Sequence, residues 1–404
     1  MVVAGVGNVA RAMAVKTPKT NKKNAGINKI CLVSRCAWTL YNFRFGLIAA
    51  LQNRGVEIIS GGAGGDGFEE EIRNRGVPFF ELPIDKRGIS PLADVQLLFT
   101  LYQWYRKECP DIVHHFTIKP VIYGSIAARL AGVPKIVNTV TGLGYVFMQD
   151  ERKWLSSVVH FLYRFALKGR AFTFFQNAED QDYFLSHGLV CGRNSFVLPG
   201  SGVDCDRFRP ASNTCRDSDG RATFLMVSRL LRDKGVYEFV EAAERVRKGY
   251  PGSEFFLLGR RDERNPSVVA KQDLEKWQSD GVVKWLGEVK DVRPIIADAD
   301  VVVLPSYREG IPRSLLEASA MGKPVITTDA VGCREAAEHG RTGLLIPVRD
   351  ASALADAMRK MIENPDMRVR MGKEGRQKME CEFDETLVLD KILETYRSPV
   401  HRPA

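Results

Sequence analysis

The chain has 404 residues, 45% hydrophobic and 26% charged: too apolar for a disordered chain and too long for one ordinary core, so two domains are expected. Its eight cysteines form no CxxC pair and adjoin no histidine cluster, which excludes a zinc ribbon and a disulfide framework and fits a reducing cytoplasm. No apolar run reaches the about 18 residues of a membrane span, no secretory signal opens the chain, and the net charge of +9 sits in the first half, where residues 1–200 hold 24 Lys+Arg against 15 Asp+Glu.

In chain order, residues 1–28 carry Arg11, Lys16, Lys19, Lys22 and Lys23, no acid and no hydrophobic period. They are expected to be a disordered basic tail or a misassigned start. "GVGNVA" inside them lacks the strand before and the helix after that a dinucleotide fingerprint requires. From "KICLVSR" (29–35) onward, apolar runs alternate with amphipathic stretches: "VEIISGG", "PFFELPI", "DIVHHF", "KIVNTV", "FTFFQN" and "NSFVLPG". The pattern restarts at "TFLMVSR" (223–229) and continues through "EFFLLG", "VVKWLG", "VVVLPS", "PVITT" and "GLLIPV", with helices expected near 234–248 and 312–321.

Such alternation predicts α/β architecture: two Rossmann-like, doubly wound parallel sheets facing a cleft. The segment 199–220 is rich in Gly, Pro, Ser and Asp and reads as linker and loops. Domains are therefore placed at 29–200 and 201–383, with 384–397 a helix. Ligands of such sheets lie beyond the carboxyl ends of the strands, so a cleft between two of them suggests two substrates.

The stretch "SYREGIPRSLLEASAMGKPVIT" (306–327) places Glu309 at a strand's carboxyl edge and Glu317 inside the following helix, whose first turn Pro312 suits. Free N–H groups at that helix start favour an anion, and each carboxylate suits paired sugar hydroxyls. The strand "TFLMVSR" ends in Arg229, and "LLRDKG" puts Lys234 at the next helix start, two cations suited to a diphosphate. Each feature alone also fits an ordinary charged helix start.

Together they resemble the retaining glycosyltransferases of the GT-B fold, family 4, whose signature is a glutamate pair with this spacing, written here "EGIPRSLLE". The resemblance covers most of 29–397. It implies that Glu317 holds the ribose of a nucleotide sugar, that Glu309 contacts the transferred sugar, and that backbone N–H groups at Gly310 and Ile311 meet the sugar or diphosphate. Arg229 and Lys234 become diphosphate ligands. The turns at Gly259 and Gly287 receive the nucleobase, with Leu286 as an apolar contact or, equally, a core residue. "PGSGVD", ending in Asp204, matches the family's hinge, and the last helix crosses back to the first domain.

"LLGRRDERNPS", "VVKWLG" and "LPSYREGIP" are most similar to bacterial enzymes that extend a sugar on undecaprenyl diphosphate, the N-acetylgalactosaminyltransferase type. The resemblance implies a UDP-sugar donor, a hexose or N-acetylhexosamine transferred with retention, no metal ion and no other cofactor. The leaving phosphate takes the acceptor proton. The acceptor is a polyprenyl-diphosphate-linked sugar in cell-surface polysaccharide synthesis.

The N-terminal half should bind the acceptor. Where many members have a Gly-Gly loop after the first strand, this chain has "SRCAWTLYNFR", and Arg44 is taken as the substitute phosphate contact or else a surface arginine. In place of a frequent histidine stand Thr141 and Gly142, followed by Leu143, Gly144 and Tyr145. "DIVHHFTIKP" offers His114 or His115, on opposite faces of a strand, and Lys119. Residues 151–170 set Trp154, Val158, Phe161 and Phe165 at helical spacing among Lys153, Arg164, Lys168 and Arg170, a pattern of either a core-packed helix or one lying on an anionic membrane. With the basic surplus, this points to a cytoplasmic protein held peripherally on the inner membrane. Nucleic acid is excluded as a partner because no binding module is legible. An epimerase of the same fold, or a non-catalytic nucleotide-sugar scaffold, remains as an alternative.

Overall fold

The computed structural model describes residues 26–85, 90–142, 153–167, 169, 171–211, 220–263 and 265–399, with side chains in the helix Lys153–Leu167 from Ser157 onward. All but the last residues of the expected basic tail, together with Leu143, Gly144, Tyr145, Lys168, Arg170 and the side chains of Lys153 and Trp154, lie outside the described residues.

The first sheet contains β1 (Lys29–Cys36), β2 (Glu57–Ala63), β3 (Phe79–Glu81), β4 (Ile112–Phe116), β5 (Lys135–Val140), β6 (Phe172–Phe175) and β7 (Ser195–Val197). Their order is β3-β2-β1-β4-β5-β6-β7, all parallel. The second contains β8 (Thr223–Val227), β9 (Glu254–Leu258), β10 (Lys284–Trp285), β11 (Val301–Leu304), β12 (Val325–Thr328) and β13 (Gly343–Ile346), ordered β10-β9-β8-β11-β12-β13 and also parallel.

Unbroken apolar runs make these strands because both faces are covered, leaving no solvent side to demand polar alternation. In β1, Ile30 and Leu32 pack with the helices Ala37–Gln52 and Glu385–Arg397, while Cys31 and Val33 pack on the opposite face with the helices Pro91–Glu108 and Ser125–Ala131. Strand order reverses between β1 and β4 and again between β8 and β11. Those two switch points are where a doubly wound sheet opens a crevice.

The helix Glu385–Arg397 belongs spatially to the first domain. Its Val388, Ile392 and Tyr396 join the core of the first sheet, and the Lys135 ammonium donates to the carbonyls of Thr395 (2.5 Å) and Tyr396 (2.8 Å). The chain crosses beside Val203, whose N–H donates to the Phe383 carbonyl (2.8 Å) and whose carbonyl accepts from Glu385 N–H (3.0 Å).

Candidate active site

Two glycines set the geometry of the Glu309 loop. Gly235 follows the tight turn Arg232–Lys234 with φ +77°, and a Cβ there would lie 2.1 Å from the Pro305 carbonyl. Only glycine allows that approach. The turn therefore docks on the loop after β11, and Lys234 Nζ reaches Glu309 Oε1 at 2.5 Å while Ser306 Oγ donates to the same oxygen at 2.7 Å. Gly332, at φ +83°, lets the backbone pass under the Glu309 carbonyl, and Glu309 N–H donates to Val331 O (2.9 Å). Among the described residues nothing bonds Glu309 Oε2.

The helix Arg313–Ala320 begins after Pro312, which lies just outside it in extended conformation rather than in its first turn. Glu317 is half-buried in that helix, accepts from Arg313 Nε at 2.9 Å, and has its pKa raised by loss of solvent against the pull of Arg313. Arg313 also donates to the Asn42 carbonyl of the first domain and lies 5.7 Å from the Phe43 ring centroid.

Further contacts close the cleft. Arg308 pairs with fully buried Asp180, whose pKa burial raises despite the pair. Arg334 meets Glu179 at 2.6 Å, and Asn177 Nδ2 donates to Gly310 O at 3.4 Å. Gly310 itself faces Thr141 and Gln176: a Cβ on it would come within 2.5 Å of the Thr141 carbonyl and 2.1 Å of Gln176 Oε1. Gly142 lies against the same residue, its own would-be Cβ 3.7 Å from Gly310 N. Ile311 packs toward the hinge at Gly200.

Arg229 follows β8 and is half-buried. Burial lowers its pKa, and repulsion from Arg35, at the end of β1, lowers it further. Arg260, after β9, adds to that repulsion and places its guanidinium 5.8 Å from the Trp38 ring of the first domain. Gly259 N–H donates to Gly287 O (2.7 Å), and Leu286, half-buried, donates to Leu257 O (2.9 Å). Beside them a cavity of ≈ 500 Å³ is lined by Arg260, Trp285, Gly287 and Glu288 among others.

Residues 29–178 match the family described as glycosyl transferase 4-like, and residues 221–364 match glycosyl transferases group 1. A UDP-Gal:α-D-GlcNAc-diphosphoundecaprenol α-1,3-galactosyltransferase of Escherichia coli is 32% identical over 331 residues, 78% of this chain and 83% of that one. The chain is a group 1, GT4-like glycosyltransferase. This glycosyltransferase is also 26% identical, over 91% of its length and 98% of the relative's, to an N,N'-diacetylbacillosaminyl-diphospho-undecaprenol α-1,3-N-acetylgalactosaminyltransferase of Campylobacter jejuni. Its fold is GT-B. Sucrose-phosphate synthase from Thermosynechococcus elongatus superposes with a TM-score of 0.75 at 18% identity, covering 92% of this chain and 98% of that one. Anabaena HepE, crystallised with UDP, superposes at 0.73 and 18%, covering 91% and 99%.

Not every residue expected at the glycosyltransferase's cleft is there. His115 is fully buried, with its ring nitrogens held by Tyr105 OH and Asn138 Oδ1, each at 2.9 Å. His114 is equally enclosed, between Tyr396 OH (2.6 Å) and Thr139 Oγ1 (2.8 Å). The reason is that β4 is a central strand covered on both faces, so alternation directs each imidazole into a core. Arg44 is buried as well, its guanidinium 4.3 Å from the Phe116 ring centroid. Burial, then Arg313, pushes its pKa down to about 10, and its charged neighbours are Arg313 and Glu385 rather than Arg229 or Lys234. Lys119 is neutralised by Asp94 at 2.8 Å, whose other oxygen accepts from Tyr123 OH. Arg35, Arg260, Arg308 and Arg313 were not singled out from sequence. For Arg35 a signal existed, since a cation ends β1 where the chain lacks glycine.

The enclosure of His115 has a measurable consequence. Burial lowers its pKa from 6.5 to about 4, so the unfolded chain takes up a proton that the folded one refuses. Its contribution to stability is complete above pH 6.5 and is lost as pH falls toward 4, at up to about 1.4 kcal/mol per pH unit. Urea unfolding between pH 7 and 5 should therefore give a shallower pH slope for His115→Gln than for wild type. Comparing the two cancels Glu317 and Asp180, whose raised pKa values act in the opposite sense. Parallel slopes would show that the imidazole charges within the fold.

Proposed function

We propose that the protein transfers a hexose or N-acetylhexosamine from a UDP-sugar, with retention of configuration, to a sugar carried on a polyprenyl diphosphate at the inner membrane surface. The product feeds a cell-surface polysaccharide. The observation that carries this reading is the Lys234–Glu309–Ser306 cluster beside Arg229, with Glu317 on the adjoining helix. The two relatives named above act on undecaprenyl-diphosphate-linked sugars by their names, and one uses UDP-Gal.

In this reading Glu317 accepts the ribose hydroxyls and Glu309 Oε2 meets the sugar. Arg229, Lys234 and the start of the helix Arg313–Ala320 hold the diphosphate, Leu286 and Gly259 flank the base, and Thr141 and Gly142 lie on the acceptor side. The bond from the sugar's anomeric carbon to the phosphate oxygen breaks as the acceptor oxygen attacks from the same face. The acceptor proton passes to the departing phosphate oxygen, whose growing charge the cations stabilise. Binding of a nucleotide sugar is compatible with the pairing of Glu317 to Arg313, because Glu317 Oε2 is unbonded among the described residues.

The first domain supplies the membrane face. The helix Pro91–Glu108 exposes Leu92, Val95 and Phe99, and the helix Lys153–Leu167 exposes Val158, Phe161 and Phe165, with Leu130 on the helix packed between them. Arg129 and Arg164 stand among these apolar side chains, and Arg129 donates to the Phe165 carbonyl (2.7 Å). An apolar stripe ringed by cations suits an anionic lipid interface. No helix among the described residues is long and apolar enough to cross a membrane.

One purified preparation tests both halves. UDP at about a hundred times its Kd should stabilise the protein by about 2.7 kcal/mol in thermal denaturation. GDP and ADP should not, and Glu317→Ala should abolish the shift. The same protein should float with phosphatidylglycerol vesicles, and Phe99→Asp/Phe161→Asp should remain in solution. A shift with GDP instead of UDP would change the donor, and flotation unaffected by the double substitution would move the membrane face elsewhere.

A further inference from the structure

Three arginines stand at carboxyl ends of strands bordering the cleft, Arg35 at β1, Arg229 after β8 and Arg260 after β9, and Arg229 feels the charge of the other two. Among the described residues no acid forms an ion pair with any of them, and none of their side chains makes a hydrogen bond; Arg35 Nε is buried without a partner. The nearest carboxylate, Glu309, is engaged by Lys234 and Ser306. All three arginines are half-buried, and like charges gathered in a partly enclosed cleft favour an anion that completes the cluster.

Arg35 differs from the other two in coming from the opposite domain. It emerges at the switch point of the first sheet, three residues before Trp38, which meets Arg260 across the cleft. β1 is irregular there: its pairing with β2 shifts between Val33 and Cys36. Arg35 thus stands on a strand end whose next helix touches the second domain through Trp38, and Arg229 of that domain feels its charge.

We propose that Arg35 is a ligand of the donor's diphosphate, contributed by the first domain across the cleft. Phosphate binding then neutralises a cluster to which both domains contribute, so the donor itself holds the two domains together. The inference rests on the nucleotide-sugar reading for its ligand but not for its test, because inorganic pyrophosphate carries the same chemistry without a base or a sugar.

Isothermal titration of wild type, Arg35→Gln and Arg35→Lys with UDP, uridine and inorganic pyrophosphate decides it. Arg35→Gln should weaken UDP and pyrophosphate by about tenfold or more, the loss of one charge-assisted contact, and leave uridine within about twofold. Arg35→Lys should recover part of the loss. Without ligand, Arg35→Gln should melt no lower than wild type, since it removes an unpartnered cation. Unchanged affinity for both anions, an equal loss with uridine, or a wild type that binds neither anion overturns the inference. Wild-type binding of pyrophosphate but not UDP would defeat the uridine reading alone, and pyrophosphate would still decide the role of Arg35.

Discussion

Glu309→Gln is expected to lower the transfer rate by roughly 10²- to 10³-fold while leaving UDP affinity nearly unchanged. The amide keeps the size of the carboxylate and one oxygen for Ser306 and Lys234, so the loop after β11 retains its hydrogen bonds. What it loses is charge at Oε2, the atom left open toward the cleft. Lys234, no longer neutralised, then sits beside Arg229 with an excess of positive charge. That excess acts on the diphosphate equally in the ground and transition states, so it cannot restore the rate, which falls because the negative charge facing the reacting sugar is gone. Release of UDP from UDP-galactose and UDP-N-acetylgalactosamine with a lipid-linked acceptor gives kcat and KM, and competition by UDP gives the affinity. A fall smaller than about fivefold would remove Glu309 from the reacting sugar.

Gly310→Ala should cost about 100-fold in turnover through geometry alone. The added methyl falls 2.5 Å from the Thr141 carbonyl, a backbone atom, and 2.1 Å from Gln176 Oε1, a side chain that can move aside. Because the carbonyl cannot, the domains must separate there by about half an ångström to one ångström to restore an ordinary contact. Neither clash lies within a single domain, so the melting temperature should stay close to wild type, while UDP affinity should fall only as far as the wider gap weakens the Arg35 contact. Turnover should fall and the radius of gyration in small-angle scattering should rise. Wild-type turnover in this variant would show that the contact between Gly310 and Thr141 is absent during the reaction.

The sequence made the architecture legible because parallel strands covered on both faces are written as unbroken apolar runs, such as "KICLV" and "VVVLP". The spacing of Glu309 and Glu317 was equally readable, since one short loop and one helix position both. Contacts between domains were not. Nothing in "YREG" announces that Arg308 reaches Asp180, a residue 128 positions away, and nothing in "IPRS" announces that Arg313 bridges Glu317 and Asn42. His115 misled for a related reason: alternation along β4 separates its two faces, but whether either face meets the cleft depends on helices contributed by other segments. Arg44 was misplaced because the helix Glu385–Arg397, at the far end of the chain, covers it.

That late helix also governs the order in which the protein can be made. A chain leaving the ribosome presents β1 through β7 first, yet the core around Ile30, Leu32 and Phe174 lacks Val388, Ile392 and Tyr396 until the segment beyond the second domain has been synthesised. At roughly 5–20 residues per second the first sheet waits about ten seconds or more with that face covered only in part, by the helix Ala37–Gln52. During that interval the second domain, whose core is drawn from residues 203–383, can be complete before the first. A nonsense codon at position 385 should thus leave the nucleotide half folded and the acceptor half exposed to proteases.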